Sequence, residues 1–357
     1  MLSEQQQDGH LVYYPAAHPL GREKLLIHLN GVASPYAKQL RDLEALVWLT
    51  IDHPFDVMGI HNSTEGFQAD ILESLLGKAE LFRFWPEHQT PESQTRLQGY
   101  ANLLSTLSRE ELATDVDILQ EIQRLQNAQG NSFASNSGKL LFDLELIRKL
   151  PFVQKMSWGE FESYFYGAYP AGAPRPTLRL AYEILKGIKA GAEIFVVAHS
   201  QGMIIAALAF HILQQFFGSY SKWSEAIRFI GYGPVIMFED LPPNLRSQTV
   251  MIQHRQDLVA EALSNIRNVN YWSNLQTQIK NVLERADSLF RLINTDSHHS
   301  ASLYLGITGE QAGDRSAQLI SLLLSENWQT SPIVQALRSS RIIIEASAAE
   351  TLSSTAI

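Results

Sequence analysis

The sequence predicts an α/β domain: a mostly parallel sheet flanked by helices, with a helical insertion ahead of the central strand. Three observations point there. Short apolar runs alternate with segments of helical periodicity, the β signal disappears between residues 81 and 170, and it returns at 192–198 as a strand feeding straight into an apolar helix. Strands separated by helices of ten or more residues need crossover connections, and crossovers make neighbouring strands parallel.

Taken in order, 24–29 (Lys-Leu-Leu-Ile-His-Leu) and 55–60 (Phe-Asp-Val-Met-Gly-Ile) read as buried strands. The first ends in Asn30-Gly31 and the second in His61-Asn62-Ser63; each precedes a helical segment, 36–49 and 66–76 respectively. Residues 1–80 therefore form the first part of the sheet domain. In 81–170, Leu112, Val116, Leu119, Ile122 and Leu125 recur at the spacing of an amphipathic helix. Residues 127–138 are polar and rich in Gly, Ser and Asn, which predicts a loop, and 158–169 is crowded with aromatics (Trp158, Phe161, Tyr164, Phe165, Tyr166, Tyr169). This segment has the size of a cap or lid over an apolar site, although its aromatics serve equally well as a core of its own. The second part of the sheet domain spans 171–345. It holds a helix at 177–190, the strand at 192–198, a helix at 203–217, strands at 226–232 and 248–253, and a long helix at 271–292. Residues 346–357 read as a frayed tail.

Composition narrows the function classes. The chain has 357 residues, 45% of them hydrophobic, with a formal charge of −9 and no long run of Lys or Arg. A phosphate-reading surface leaves a basic footprint, so nucleic-acid binding is not expected, nor is polybasic attachment to anionic membranes. There is no cysteine, which excludes disulfides, thiolate catalysis and Cys-ligated zinc. The N-terminal residues lack a basic segment followed by an apolar run, and the longest apolar stretch, 203–210, is far shorter than a membrane span. A soluble, cytoplasmic protein is the expectation, its oligomeric state left open.

The chemistry concentrates at Ala198-His199-Ser200-Gln201-Gly202, between the strand ending in Val196-Val197 and the helix that follows. A nucleophile held on a strained strand-to-helix turn needs small residues two positions before and after it, because larger ones would strike the neighbouring strand or helix. Ser200 has Ala198 and Gly202 there. The N–H of Gln201, at the start of the helix, is placed to donate to a developing oxyanion. The structural alternative is a serine that merely caps the helix.

This segment resembles the nucleophile elbow of the α/β-hydrolases, in the Ala-x-Ser-x-Gly variant found among bacterial lipases. The resemblance covers the sheet domain and implies a lipase- or esterase-like serine hydrolase. It implies a second oxyanion donor after an early strand, where His28-Leu29-Asn30-Gly31-Val32 resembles the family's oxyanion loop and offers Asn30, Gly31 and Val32 as lining residues. It further implies an acid and then a base later in the chain. The strand at 248–253 is followed by His254-Arg255-Gln256-Asp257-Leu258-Val259, similar to the ending on which family members carry the acid; Asp257 is the first candidate, with Glu239 and Asp240 as alternatives. After Asp257 the only histidines are His298 and His299. His299 is preferred because His299-Ser300 followed by Tyr304-Leu305 resembles related sequences; His298 stays open.

Other histidines have plainer readings. His199 and His61 lie at strand C-terminal ends, where open α/β sheets bind ligands, and are candidates for lining a substrate pocket. His211 and His254 read as structural. The His298-His299 pair lacks the additional ligands zinc requires, and no metal or other cofactor is expected. The expected substrate is a small-molecule or lipid ester. Two other classes compete: a hydrolase-fold member acting as binding scaffold or acyltransferase, and an unrelated nucleotide-binding domain. The second would need a Gly-rich phosphate loop, and neither common form occurs.

Overall fold

The computed structural model describes residues 8–13, 23–53, 55–64, 67–110, 112, 114–136, 175–218, 221–264 and 297–345. Its centre is a sheet of seven strands: β1 (Leu11–Tyr13), β2 (Lys24–Leu29), β3 (Phe55–Ile60), β4 (Glu193–His199), β5 (Ile227–Tyr232), β6 (Thr249–His254) and β7 (Ser340–Ile344), in the spatial order β1-β3-β2-β4-β5-β6-β7. Only β1 runs antiparallel, pairing with β3; all other pairings are parallel. The α/β class read from the sequence is therefore present, with a mostly parallel sheet and helices on both faces.

Helices α1 (Tyr36–Leu49), α2 (Phe67–Arg83), α3 (Pro91–Leu107), α4 (Asp115–Asn136), α5 (Arg175–Lys189), α6 (Gln201–Phe217), α7 (Leu258–Ser264), α8 (Gln311–Ser325) and α9 (Pro332–Leu337) cover it. Alternate residues of each strand serve the two faces. Leu25, Ile27 and Leu29 of β2 and Ile194, Val196 and Ala198 of β4 join the core formed with α3, α4, α5 and α6. Leu26, Phe195, Val197 and Ile230 join the core formed with α1, α8 and α9. Two buried faces explain why the central strands are continuous apolar runs and not alternating ones. The α6 helix is buried from Gln201 through Leu213, and each large apolar side chain it withdraws from water contributes about 1.5–3 kcal/mol.

From β2 the chain moves outward to β3, whereas β4 lies on the other side of β2. The loops after β2 and β4 consequently lead to helices on opposite faces, α1 and α6. A crevice opens at such a point beyond the carboxyl ends of the strands, and it is where ligands bind in open α/β sheets.

Several details depart from the sequence reading. Helix α2 runs on to Arg83 instead of stopping near residue 76. Helix α4 continues through Asn136, across the polar stretch expected to be a loop; extending an existing helix is cheap compared with nucleating one, and this outweighs the local cost of Gly130. Of the periodic residues, Leu119, Ile122 and Leu125 are buried but Val116 is exposed and Leu112 precedes the helix. The described part of 81–170 shares the core of the sheet. Strands β1 and β7 carried no clear signal. The aromatic segment 158–169, the helix expected at 271–292 and the tail 346–357 lie outside the described residues. Among the described residues no helix is long and apolar enough to cross a membrane.

Candidate active site

Ser200 stands between the last residue of β4 and the first of α6, with φ 49° and ψ −121°. Positive φ is costly for a residue with a Cβ, on the order of 1–3 kcal/mol, and persists only where surroundings enforce it. Here they do. The Ser200 N–H donates to the Tyr232 carbonyl of β5 (3.2 Å), and the Ser200 carbonyl accepts from the Met203 N–H (2.9 Å). The small flanking residues have visible reasons. Ala198 lies in register between Leu29 and Gly231. A Cβ on Gly202 would come within 2.7 Å of the Leu29 carbonyl oxygen and 2.8 Å of that of Asn30, both backbone atoms. The turn therefore sets the start of α6 directly against the end of β2.

The hydroxyl of Ser200 donates to Nε2 of His299 at 2.7 Å. On the other side of the same ring, Nδ1–H donates to both carboxylate oxygens of Asp257, each at 2.8 Å. The tautomer follows from the partner, since an ionised carboxylate can only accept. All three side chains are withdrawn from water: Ser200 is 1% exposed, Asp257 1% and His299 5%. Burial acts to raise the pKa of Asp257, but the neighbouring His299 and hydrogen bonds from His299, the Ala260 N–H and Tyr304 outweigh it and hold the carboxyl below its ordinary range.

No protein-family model, curated protein or solved structure matches this chain.

The alternatives read from the sequence sit elsewhere. Asp240 forms a buried ion pair with Lys78 of α2 (2.5 Å), accepts from the Trp85 indole N–H (3.2 Å) and the Met237 N–H (2.8 Å), and so ties α2 to the connection after β5. The Glu239 carbonyl accepts from Arg246. Neither carboxylate bonds His299. His298, adjacent to His299, is half-buried and makes none of the bonds to Ser200 or Asp257.

The loop after β2 does reach the serine. A Cβ on Gly31 would lie 2.8 Å from the Ser200 Cβ and 2.6 Å from Nδ1 of His199, so only glycine allows this approach. Asn30 shapes the loop through its side chain: Nδ2 donates to the Asn62 carbonyl (2.7 Å) and Oδ1 accepts the Asn62 N–H (2.8 Å). The Asn62 amide donates in turn to Oε1 of Gln201 at 2.9 Å. The Ala33 N–H is held by Asp70 of α2 (2.7 Å). These bonds occupy the neighbours of Val32 and the side chain of Gln201. The Gln201 N–H belongs to the first turn of α6 and has no carbonyl within the helix to bond.

The two histidines expected to line a pocket also make bonds within the fold. His61 donates its Nδ1–H to Oε1 of Gln39 on α1 (2.7 Å), and its ring packs edge-on against Tyr36. Asn62, the next residue, bonds Gln201 at the elbow. His199 reaches the backbone of the base, donating from Nε2–H to the main-chain carbonyl of His299 (2.8 Å) and stacking on Tyr232 at 5.0 Å. Burial, with the adjacent His299, pushes its pKa well below the ordinary value and keeps it neutral. Asp70 and Tyr304 also contribute: Asp70 belongs to no motif, and Tyr304 entered only through the resemblance around His299, which says nothing of its bond to Asp257. Among the described residues there is no group of three or more His, Asp or Glu side chains that could hold a metal ion.

Proposed function

We propose that this chain is a serine hydrolase of the α/β-hydrolase type, cleaving a carboxylic ester through Ser200, His299 and Asp257. The observation that carries the reading is the continuous hydrogen-bond chain from the Ser200 hydroxyl through His299 to the Asp257 carboxylate, built on a serine at positive φ between a strand and a helix.

In the proposed reaction His299 Nε2 takes the Ser200 proton as the oxygen attacks the ester carbonyl carbon. The carbonyl oxygen gains the displaced electron pair and is stabilised by the N–H groups of Gln201 and Val32. As the tetrahedral species collapses, the imidazolium returns its proton to the departing alkoxide, leaving an acyl group on Ser200. Water, deprotonated by the same ring, then releases the acid and restores the serine. Asp257 keeps Nε2 free to accept and stabilises the imidazolium. Ser200 lies at the switch point between β2 and β4, where open α/β sheets receive ligands, and the substrate we propose is a small-molecule or lipid ester.

Turnover of p-nitrophenyl esters of increasing chain length tests this. The wild-type chain is expected to hydrolyse them, and Ser200→Ala to fold with an unchanged Tm and show no turnover. A folded Ser200→Ala variant with wild-type turnover overturns the assignment.

A further inference from the structure

His299 is not the only group holding the Asp257 carboxylate. Oδ1 accepts the Ala260 N–H at 2.8 Å, and Oδ2 accepts the hydroxyl of Tyr304 at 2.7 Å. The Tyr304 oxygen accepts, in turn, the main-chain N–H of His254 at 2.9 Å. This last bond fixes the direction of the hydroxyl. With a backbone N–H on one side of the oxygen, its hydrogen is directed to the carboxylate, which can only accept.

Tyr304 is fully buried, its ring 4.1 Å from that of His254 and 5.6 Å from that of Tyr232. Burial and the adjacent Asp257 charge raise its phenol pKa well above the ordinary value, so it remains a donor throughout the working pH range. The ring alone would satisfy the packing; the hydroxyl is extra. A buried hydroxyl is retained without cost only if both its bonds are made, and here one of them is to the acid. Tyr304 also ends the single turn Ala301–Tyr304 that begins two residues after His299. One short segment therefore supplies the base and the second clamp on its acid.

We infer that Tyr304 is a positioning residue for the reaction at Ser200. Its hydroxyl fixes the plane in which the Asp257 carboxylate meets His299 Nδ1–H and draws off part of the carboxylate's negative charge. The imidazolium is then held firmly enough to form and loosely enough to return its proton. This inference rests on the hydrolase reading above.

The test compares the full-length wild type with Tyr304→Phe and with 3-fluorotyrosine placed at position 304, following p-nitrophenyl ester hydrolysis against pH. Removing the donor is expected to lower kcat about tenfold with KM unchanged. It also leaves more charge on Asp257 for the imidazolium, which moves the acid limb of the kcat profile to higher pH. The fluorinated phenol is a stronger donor, nearly isosteric with tyrosine, and is expected to move that limb to lower pH; it carries the test if Tyr304→Phe fails to fold. An acid limb unmoved in the folded variants overturns the inference, whatever happens to kcat, because a purely structural role would lower activity without displacing it. A wild-type chain that neither turns over ester nor reacts with a fluorophosphonate overturns the hydrolase reading and this inference with it, whereas an active wild type with unresponsive variants overturns the role of Tyr304 alone.

Discussion

His199 donates its Nε2–H to the main-chain carbonyl of His299, 2.8 Å away, so the residue just before the candidate nucleophile holds the backbone of the candidate base. The two halves of the site, separated by about a hundred residues of sequence, are thereby joined by a bond that does not titrate, since the buried His199 ring stays neutral. Replacing His199 with Phe keeps the aromatic stack on Tyr232 but removes the donor. Loss of one such bond is worth about 0.5–1.5 kcal/mol, and kcat is expected to fall roughly three- to tenfold by the same amount at every pH between 6 and 9. Steady-state ester hydrolysis across that range checks it; a pH-dependent loss would mean His199 titrates in the reaction.

Of the three carboxylates proposed from the sequence, Asp257 and Asp240 are expected to behave oppositely. Asp257→Asn removes the acceptor that fixes the His299 tautomer, and kcat should drop on the order of 10³–10⁴ with the fold intact. Asp240→Ala strands the buried Lys78 ammonium without its counter-charge, and the expected cost is about 3–5 kcal/mol of stability. Thermal unfolding and kinetics on both variants give the comparison. Should Asp240→Ala lose only activity and Asp257→Asn only stability, the roles are reversed.

Asp42 makes a statement about pH. It sits fully buried on α1, and neither carboxylate oxygen has a hydrogen-bond partner among the described residues. Burial pushes its pKa from 3.8 to about 7. The folded chain therefore binds this proton more tightly than the unfolded one, and stability falls as pH rises from about 4 to about 7, staying at the lower level above that. Asp42→Asn removes the ionisation. The variant is expected to have a higher Tm than wild type at pH 8, with the gap narrowing toward pH 4. A gap that does not change with pH contradicts the burial of an ionisable group there.

Gly202 is fixed by backbone approach. With Leu29 and Asn30 carbonyl oxygens under 3 Å from any added Cβ, Gly202→Val must push α6 off the end of β2. Overpacking of this kind costs typically 1–3 kcal/mol, and the displacement also moves the Gln201 N–H; the expected outcome is a lower Tm together with loss of activity out of proportion to it.

What could be read from the sequence follows what local pattern encodes. The strands at 24–29 and 55–60 are buried on both faces, and their apolar runs gave the right bounds to the residue. The elbow was legible because its requirements are local: a strand, Ala198, Gly202 and an apolar helix, all between Glu193 and Phe217. The edge strands were not. β1 has three residues, and the outermost strand, β7, is only partly buried, which leaves little periodicity to detect. Pairing across the fold was the other blind spot. Asp257 and Asp240 each follow a strand and look alike in sequence; only the placement of Lys78 on α2 and of His299 after residue 296 separates an ion pair from a hydrogen-bonded acid. His61 was placed correctly at a strand end, yet its side chain answers to Gln39 on a helix that the motif does not mention.

The most direct measurement is covalent labelling of the folded chain with a fluorophosphonate, followed by peptide mapping. A serine whose hydroxyl proton is already shared with a buried imidazole is expected to react stoichiometrically, and the label to map to Ser200, with none incorporated in Ser200→Ala. A folded wild-type chain that takes no label, or takes it at another serine, contradicts Ser200 as the nucleophile.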